Sequence, residues 1–281
     1  MLARKPATDC TLPRYVNRQG SPTVTRKSTS IMNRIELPTH SISSSTSFTG
    51  SEPRLDVATL GTRRLVHDSR APYAMFAPMH YEPGYAYPLV VWLHSSPGNE
   101  HELRQVMPLV SMRNYVAVAP RGPATERRQS NAFNWRQSSD DIEEADNRIA
   151  HCVDLACKRY NIHADRIFLV GHGSGGTMAV RTAWNNPGRF AGVATIGGPL
   201  PSQLRPLREV KQMRRLPCLL AMARESRQYP DSRVCSDLRL LHSAGCTVAL
   251  RQYPGRDELT TNMLSDLDRW LMGFVCGSGD S

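Results

Sequence analysis

Ile167-Phe168-Leu169-Val170-Gly171-His172-Gly173-Ser174-Gly175-Gly176-Thr177-Met178-Ala179 decides the fold. Ile167 to Val170 is a short unbroken apolar run, the pattern of a strand buried on both faces. Every second residue from Gly171 to Gly175 is then glycine, and Gly176 follows. From Gly175 onward the residues suit a helix. The stretch therefore predicts a strand that turns sharply into a helix. Its glycines stand where the two elements approach closely and where the turn needs backbone conformations closed to other residues.

The same alternation extends in both directions. Pro88-Leu89-Val90-Val91-Trp92-Leu93-His94 and Tyr115-Val116-Ala117-Val118-Ala119-Pro120 read as further buried strands, with a helix over 102–112 between them. Ile142, Ala145, Ile149, Cys152, Val153 and Ala156 recur at helical spacing. Asp140, Asp141, Glu143 and Glu144 crowd that helix's start, where the helix dipole favours anions. Strands at 191–196, 217–222 and 247–253 follow, with a helix near 236–243. A last helix carries Leu264, Leu267, Leu271 and Phe274 on one stripe. Residues 62–67 and 74–77 read as an opening antiparallel pair. Strands alternating with helices predict an α/β fold, a mostly parallel central sheet with helices on both faces. The Pro- and Arg-rich stretch 197–215 follows a strand, where such folds place lids.

The chain has 281 residues, 40% of them hydrophobic, enough for one large α/β domain. That domain is expected over 54–276, after a Ser/Thr/Arg-rich segment 1–53 and before a flexible tail 277–281. The low-complexity run Ser41-Ile42-Ser43-Ser44-Ser45-Thr46-Ser47 cannot bury enough apolar surface to order itself, so 1–53 reads as disordered. Met32 offers an alternative start. Arg4, Lys5, Asp9 and Arg14 interrupt the first residues, which leaves no signal-peptide core, and no run is long and apolar enough to span a bilayer. The seven cysteines, Cys10, Cys152, Cys157, Cys218, Cys235, Cys246 and Cys276, show no metal-ligand spacing. They read as reduced packing residues of a cytoplasmic protein. The net charge of +10 owes much to the N-terminal arginines and lysines. It reads as a solvated basic tail; the sharper alternative is contact with an anionic surface or nucleic acid, for which no specific motif is present.

The glycine-framed turn has a chemical counterpart. G-x-S-x-G on a strand-to-helix turn presents a serine nucleophile at a strained backbone position. Here the frame is intact and the central residue is Gly173. Shifting the frame by one residue to use Ser174 puts His172 where the first glycine belongs. It also places Ser174 in the first helical turn, where its hydroxyl points away from the site.

From about residue 88 to 272 the chain resembles the carboxylesterase/phospholipase family of α/β-hydrolases. Three regions carry the resemblance: Leu93-His94-Ser95-Ser96-Pro97-Gly98-Asn99-Glu100, residues 166–190, and Tyr253-Pro254-Gly255 followed by Asp266-Leu267-Asp268-Arg269-Trp270-Leu271. The resemblance implies that the first is the oxyanion-hole loop, where Ser95 replaces a glycine. It implies that Gly173, Ser226 and Asp257 stand at the positions of nucleophile, acid and base. It places His94, Ser95, Ser96 and Ser174 around the oxyanion hole and cleft, His94 as a structural hydrogen-bonding residue ahead of a catalyst. No His occurs after His242. Without an imidazole nothing activates a serine near neutral pH and then protonates the leaving group.

The expected function is therefore that of a catalytically inactive family member, a pseudo-hydrolase. Its partner is a small acyl or ester-like ligand or a protein, with the oligomeric state left open. No cofactor and no metal is expected, although His94, His172, Asp257 and Glu258 have the chemistry to converge on one. The alternatives are a serine ester hydrolase using Ser174, Ser95 or Ser96 with His172 or His94 as base, and an accessory protein that binds anionic surfaces through its basic tail.

Overall fold

The computed structural model describes residues 71–124, 133–202 and 214–277. The segment 1–53, the expected strand 62–67, the centre of the 197–215 stretch and most of the 277–281 tail lie outside the described residues.

Seven strands form one sheet: β1 (Tyr73–Phe76), β2 (Tyr87–Leu93), β3 (Val116–Pro120), β4 (Ile162–His172), β5 (Gly192–Ile196), β6 (Cys218–Ala223) and β7 (Val248–Tyr253). Their order is β1-β3-β2-β4-β5-β6-β7. β1 runs antiparallel to β3 and every other neighbouring pair is parallel. The helices are α1 (Glu102–Val110), α2 (Ser139–Arg159), α3 (Ser174–Asn185), α4 (Asp231–Ser243) and α5 (Thr261–Gly277). This is the α/β-hydrolase architecture.

The unbroken apolar runs are central strands, and β2, β3, β5 and β6 are buried along their whole length. Their side chains alternate between two cores. Leu89, Val91 and Leu93 point into one with the apolar faces of α2, α3 and α4. Val90 and Trp92 point into the other with Leu103, Val106 and Met107 of α1 and Leu264, Leu267 and Leu271 of α5. Helices thus cover both faces, as the sequence alternation requires. Ser138 caps α2, its hydroxyl accepting from the Asp141 amide.

Several boundaries differ from expectation. β4 begins at Ile162, before the apolar run, because Tyr87 of β2 supplies a partner there. α4 starts at Asp231, earlier than its apolar spacing indicates, and α5 takes in Gly277. Cys152, Cys218 and Cys246 are buried, as packing residues should be, whereas Cys157, Cys235 and Cys276 are exposed; Cys10 lies outside the described residues. Among the described residues no helix is long and apolar enough to cross a membrane.

The first residues of the expected lid do not stand free. Thr177 Oγ1 donates to the Pro199 carbonyl and Arg181 to the Ser202 carbonyl. Arg233 donates to the Leu200 carbonyl, and the Leu200 amide donates to Asp237. These bonds strap 199–202 across α3 and α4.

Candidate functional site

The turn between β4 and α3 is built by close approach. A Cβ on Gly175 would lie 2.2 Å from the Leu93 carbonyl oxygen, and one on Gly171 would lie 2.4 Å from the Gly175 carbonyl carbon. Only glycine lets α3 start this near to β2 and β4. Gly173 differs. Its backbone has φ 53° and ψ −122°, a region glycine occupies without strain and other residues rarely enter. A Cβ there would meet only Gln228 Oε1 and Ser95 Cβ, each at 3.7 Å, ordinary contact distances. Residue 173 therefore faces a space walled by the loop after β2 and the loop after β6. The Gly173 amide donates to the Ile196 carbonyl (2.8 Å), fixing the turn against β5.

The loop after β2 is held by Glu102, the first residue of α1. The indole Nε1–H of buried Trp92 donates to Glu102 Oε1 (3.0 Å). The Ser95 hydroxyl donates to Oε2 (2.8 Å), and the Ser95 amide reaches the same carboxylate at 3.2 Å. Ser96 is half-buried in this loop. Below it, Arg121 makes two hydrogen bonds to Glu100, which is 1% exposed. Burial opposes ionisation of Glu100, but the Arg121 guanidinium, a backbone hydrogen bond and His101 together hold the carboxyl below its ordinary range.

The loops after β6 and β7 meet through Ser226 and Asp257. The Ser226 hydroxyl donates to Asp257 Oδ1, and the Arg227 amide donates to Oδ2 at 3.1 Å. The Tyr229 amide in turn donates to Ser226 Oγ at 2.8 Å. Gln228, from the same loop, borders Gly173. His172 links these loops to the first: its Nε2 lies 3.3 Å from the Asp257 carbonyl oxygen and its Nδ1 3.9 Å from Glu102 Oε1. Gly173, Ser226 and Asp257 thus gather at the C-terminal ends of β4, β6 and β7, the edge where open α/β sheets hold ligands.

Two histidines weighed as bases go different ways. His94, named for the oxyanion loop and read there as a structural hydrogen-bonding residue ahead of a base, is fully buried. The Gly122 amide donates to its Nε2 (3.0 Å), so the ring proton is on Nδ1, which donates to the Ser95 carbonyl (2.7 Å). Burial lowers its pKa, and this neutral ring serves the loop rather than a ligand. It therefore does not converge with His172, Asp257 and Glu258. Among the described residues no group of three metal-ligating side chains comes together. His172 does border the cleft, but on Glu102 and the Asp257 carbonyl. Ser174 Oγ is buried and meets no hydrogen-bond partner among the described residues.

The hydroxyls of Ser95 and Ser226 therefore donate to carboxylates, not to imidazoles. Without an imidazole relay, such a pair does not both activate an alcohol and protonate a leaving group. What the arrangement offers is a walled space above Gly173, rimmed by fixed acceptors. Sequence reasoning missed Glu102, Gln228 and Trp92. The one available signal was an acidic residue in the first turn of α1, which has a local explanation in the helix dipole.

Residues 123–271 match the phospholipase/carboxylesterase family, a span that contains Gly173, Ser226 and Asp257 and begins after the Ser95 loop. NocK of Nocardia uniformis subsp. tsuyamanensis, named as a candidate esterase, is 31% identical over 138 residues, 47% of this chain. The match spans only 38% of the length of that relative. The fold resembles a carboxylesterase from Mesorhizobium loti, with TM-score 0.60 and 19% identity over 72% of this chain and 95% of the other. It also resembles the Bacillus cereus carboxylesterase (TM-score 0.58, 16% identity, 73% and 95% of the two chains). Acyl-protein thioesterase 2 of Zea mays is similar as well (TM-score 0.56, 17% identity, 72% and 98%).

Proposed function

Because this chain belongs to the phospholipase/carboxylesterase family, we propose that it is a non-hydrolytic member, which holds an acyl or ester-like molecule in the cleft above Gly173 without cleaving it. In this reading Gly173, Ser226 and Asp257 occupy the places of nucleophile, acid and base. The observation that carries it is the Ser226–Asp257 hydrogen bond. Where the acid and base positions would carry a carboxylate bonded to an imidazole, a hydroxyl is here bonded to a carboxylate. Gly173 offers no attacking atom. Ser174 with His172, the competing arrangement, lacks support, since the buried Ser174 Oγ meets no hydrogen-bond partner among the described residues, His172 included. Free thiols on the six described cysteines fit a reducing compartment such as the cytoplasm.

The test is reaction of the full chain with a fluorophosphonate probe beside turnover of short-chain p-nitrophenyl esters. The expected result is no covalent label and no turnover above buffer, with p-nitrophenyl butyrate retained in equilibrium dialysis. A label mapped to Ser174, Ser95 or Ser96 would overturn the proposal and restore an esterase.

A further inference from the structure

One wall of the cleft carries a carboxylate that the protein supplies itself. Trp92 Nε1–H, the Ser95 hydroxyl and the Ser95 amide all aim at Glu102. Three donors converging on one point make a place for an anion, and Glu102 already fills it. Trp92 is fully buried, so its donor cannot turn to solvent or to a ligand. Ser95 ties this cradle to the space above residue 173, where its Cβ would touch a side chain at 3.7 Å. Across the space, the Asp257 carboxylate is likewise held by neutral donors, the Ser226 hydroxyl and the Arg227 amide. A ligand carboxylate placed against Glu102 or Asp257 would meet like charge and find the donors that hold those two groups taken. A neutral ester or amide carries no such penalty. Specificity of this kind rests on the repulsive element as much as on the attractive ones.

We propose that Glu102 sets the ligand class of the cleft: uncharged acyl compounds enter and free carboxylates are turned away. The proposal rests on the reading of the cleft as an acyl-binding site. It makes Glu102 a specificity-determining residue rather than only the start of a helix.

The experiment compares methyl octanoate with octanoate by calorimetry on the full chain at neutral pH. The expected result is binding of the ester with octanoate at least ~10-fold weaker, the discrimination one like charge at short range supports. Glu102→Gln should bring the two within about threefold, since the charge is gone. The glutamine carbonyl can still accept from Trp92 while its NH2 donates to Ser95 Oγ, at the loss of the shorter Ser95 amide bond. Glu102→Asp keeps the charge and should keep the discrimination, and thermal melts report whether each variant is folded. Equal binding of ester and acid by the wild type overturns the proposal without any variant. An undiminished ratio in folded Glu102→Gln overturns it as well. Hydrolysis of methyl octanoate would instead sink the non-hydrolytic reading alone. Failure of the ester to bind at all would sink the acyl-binding reading and this inference with it.

Discussion

Replacing Gly173 by serine restores the residue that a G-x-S-x-G turn would carry, and its cost can be worked from the structure. The added Cβ meets Gln228 Oε1 and Ser95 Cβ at 3.7 Å, so contact with neighbours adds little. The backbone decides the cost. At φ 53° and ψ −122° a residue with a Cβ is held in a sparsely populated conformation, a strain of about 1–3 kcal/mol. Against this, serine loses less chain entropy on folding than glycine, roughly 0.5–1 kcal/mol by comparison with alanine. The difference is a net destabilisation of about 1 kcal/mol. In a domain of this size that lowers the melting temperature by about 2–4 °C. Matched urea melts of wild type and Gly173→Ser measure it, with the slope unchanged if only the native state is strained. Gly175→Ala is the internal contrast: its Cβ would sit 2.2 Å from the Leu93 carbonyl oxygen, so strand and helix must separate and the loss should be several times larger. An unchanged or raised midpoint for Gly173→Ser, or equal effects at the two glycines, would refute the claim that residue 173 occupies a strained turn.

Gly173→Ser alone should leave p-nitrophenyl butyrate unhydrolysed, because it adds an oxygen and no imidazole; turnover is expected only when Ser226→Asp and Asp257→His accompany it, and activity in the single variant would reveal a base not identified in the cleft. Ser226→Ala removes a donor to Asp257 and the acceptor of the Tyr229 amide, which should cost about 1–3 kcal/mol in denaturant melts; a neutral result would mean that these loops do not depend on the pair. Burial pushes up the pKa of Asp146 on α2, whose Oδ1 meets no hydrogen-bond partner among the described residues. With the folded value raised, the unfolded chain loses this proton first, so the group's contribution to stability is present below the ordinary aspartate range and is lost as pH rises through the folded value. Asp146→Asn should therefore favour stability more at pH 7 than at pH 4, as melts at the two values would show.

Legible in the residues alone were the α/β class, the mostly parallel sheet, the glycine frame of the turn and the absence of a histidine where a base would stand. These features are local. A strand buried on both faces must be apolar throughout, a covering helix must repeat its apolar residues every turn, and a close approach of backbones must use glycine. Each constraint is written in adjacent residues, so Ile167 to Ala179 suffices to read it. Tertiary structure decided the polar wiring of the cleft. Ser226 and Asp257 are 31 residues apart, and only the parallel pairing of β6 with β7 brings their loops to one edge. Glu102 looks like an ordinary helix-start acid until α1 folds it back onto Ser95 and Trp92. His94 reads as a structural hydrogen-bonding residue, but its partners, the Gly122 amide and the Ser95 carbonyl, are named only by the fold. Hydrogen-bond partners are chosen among groups that packing delivers from distant parts of the chain, and no periodicity records that choice.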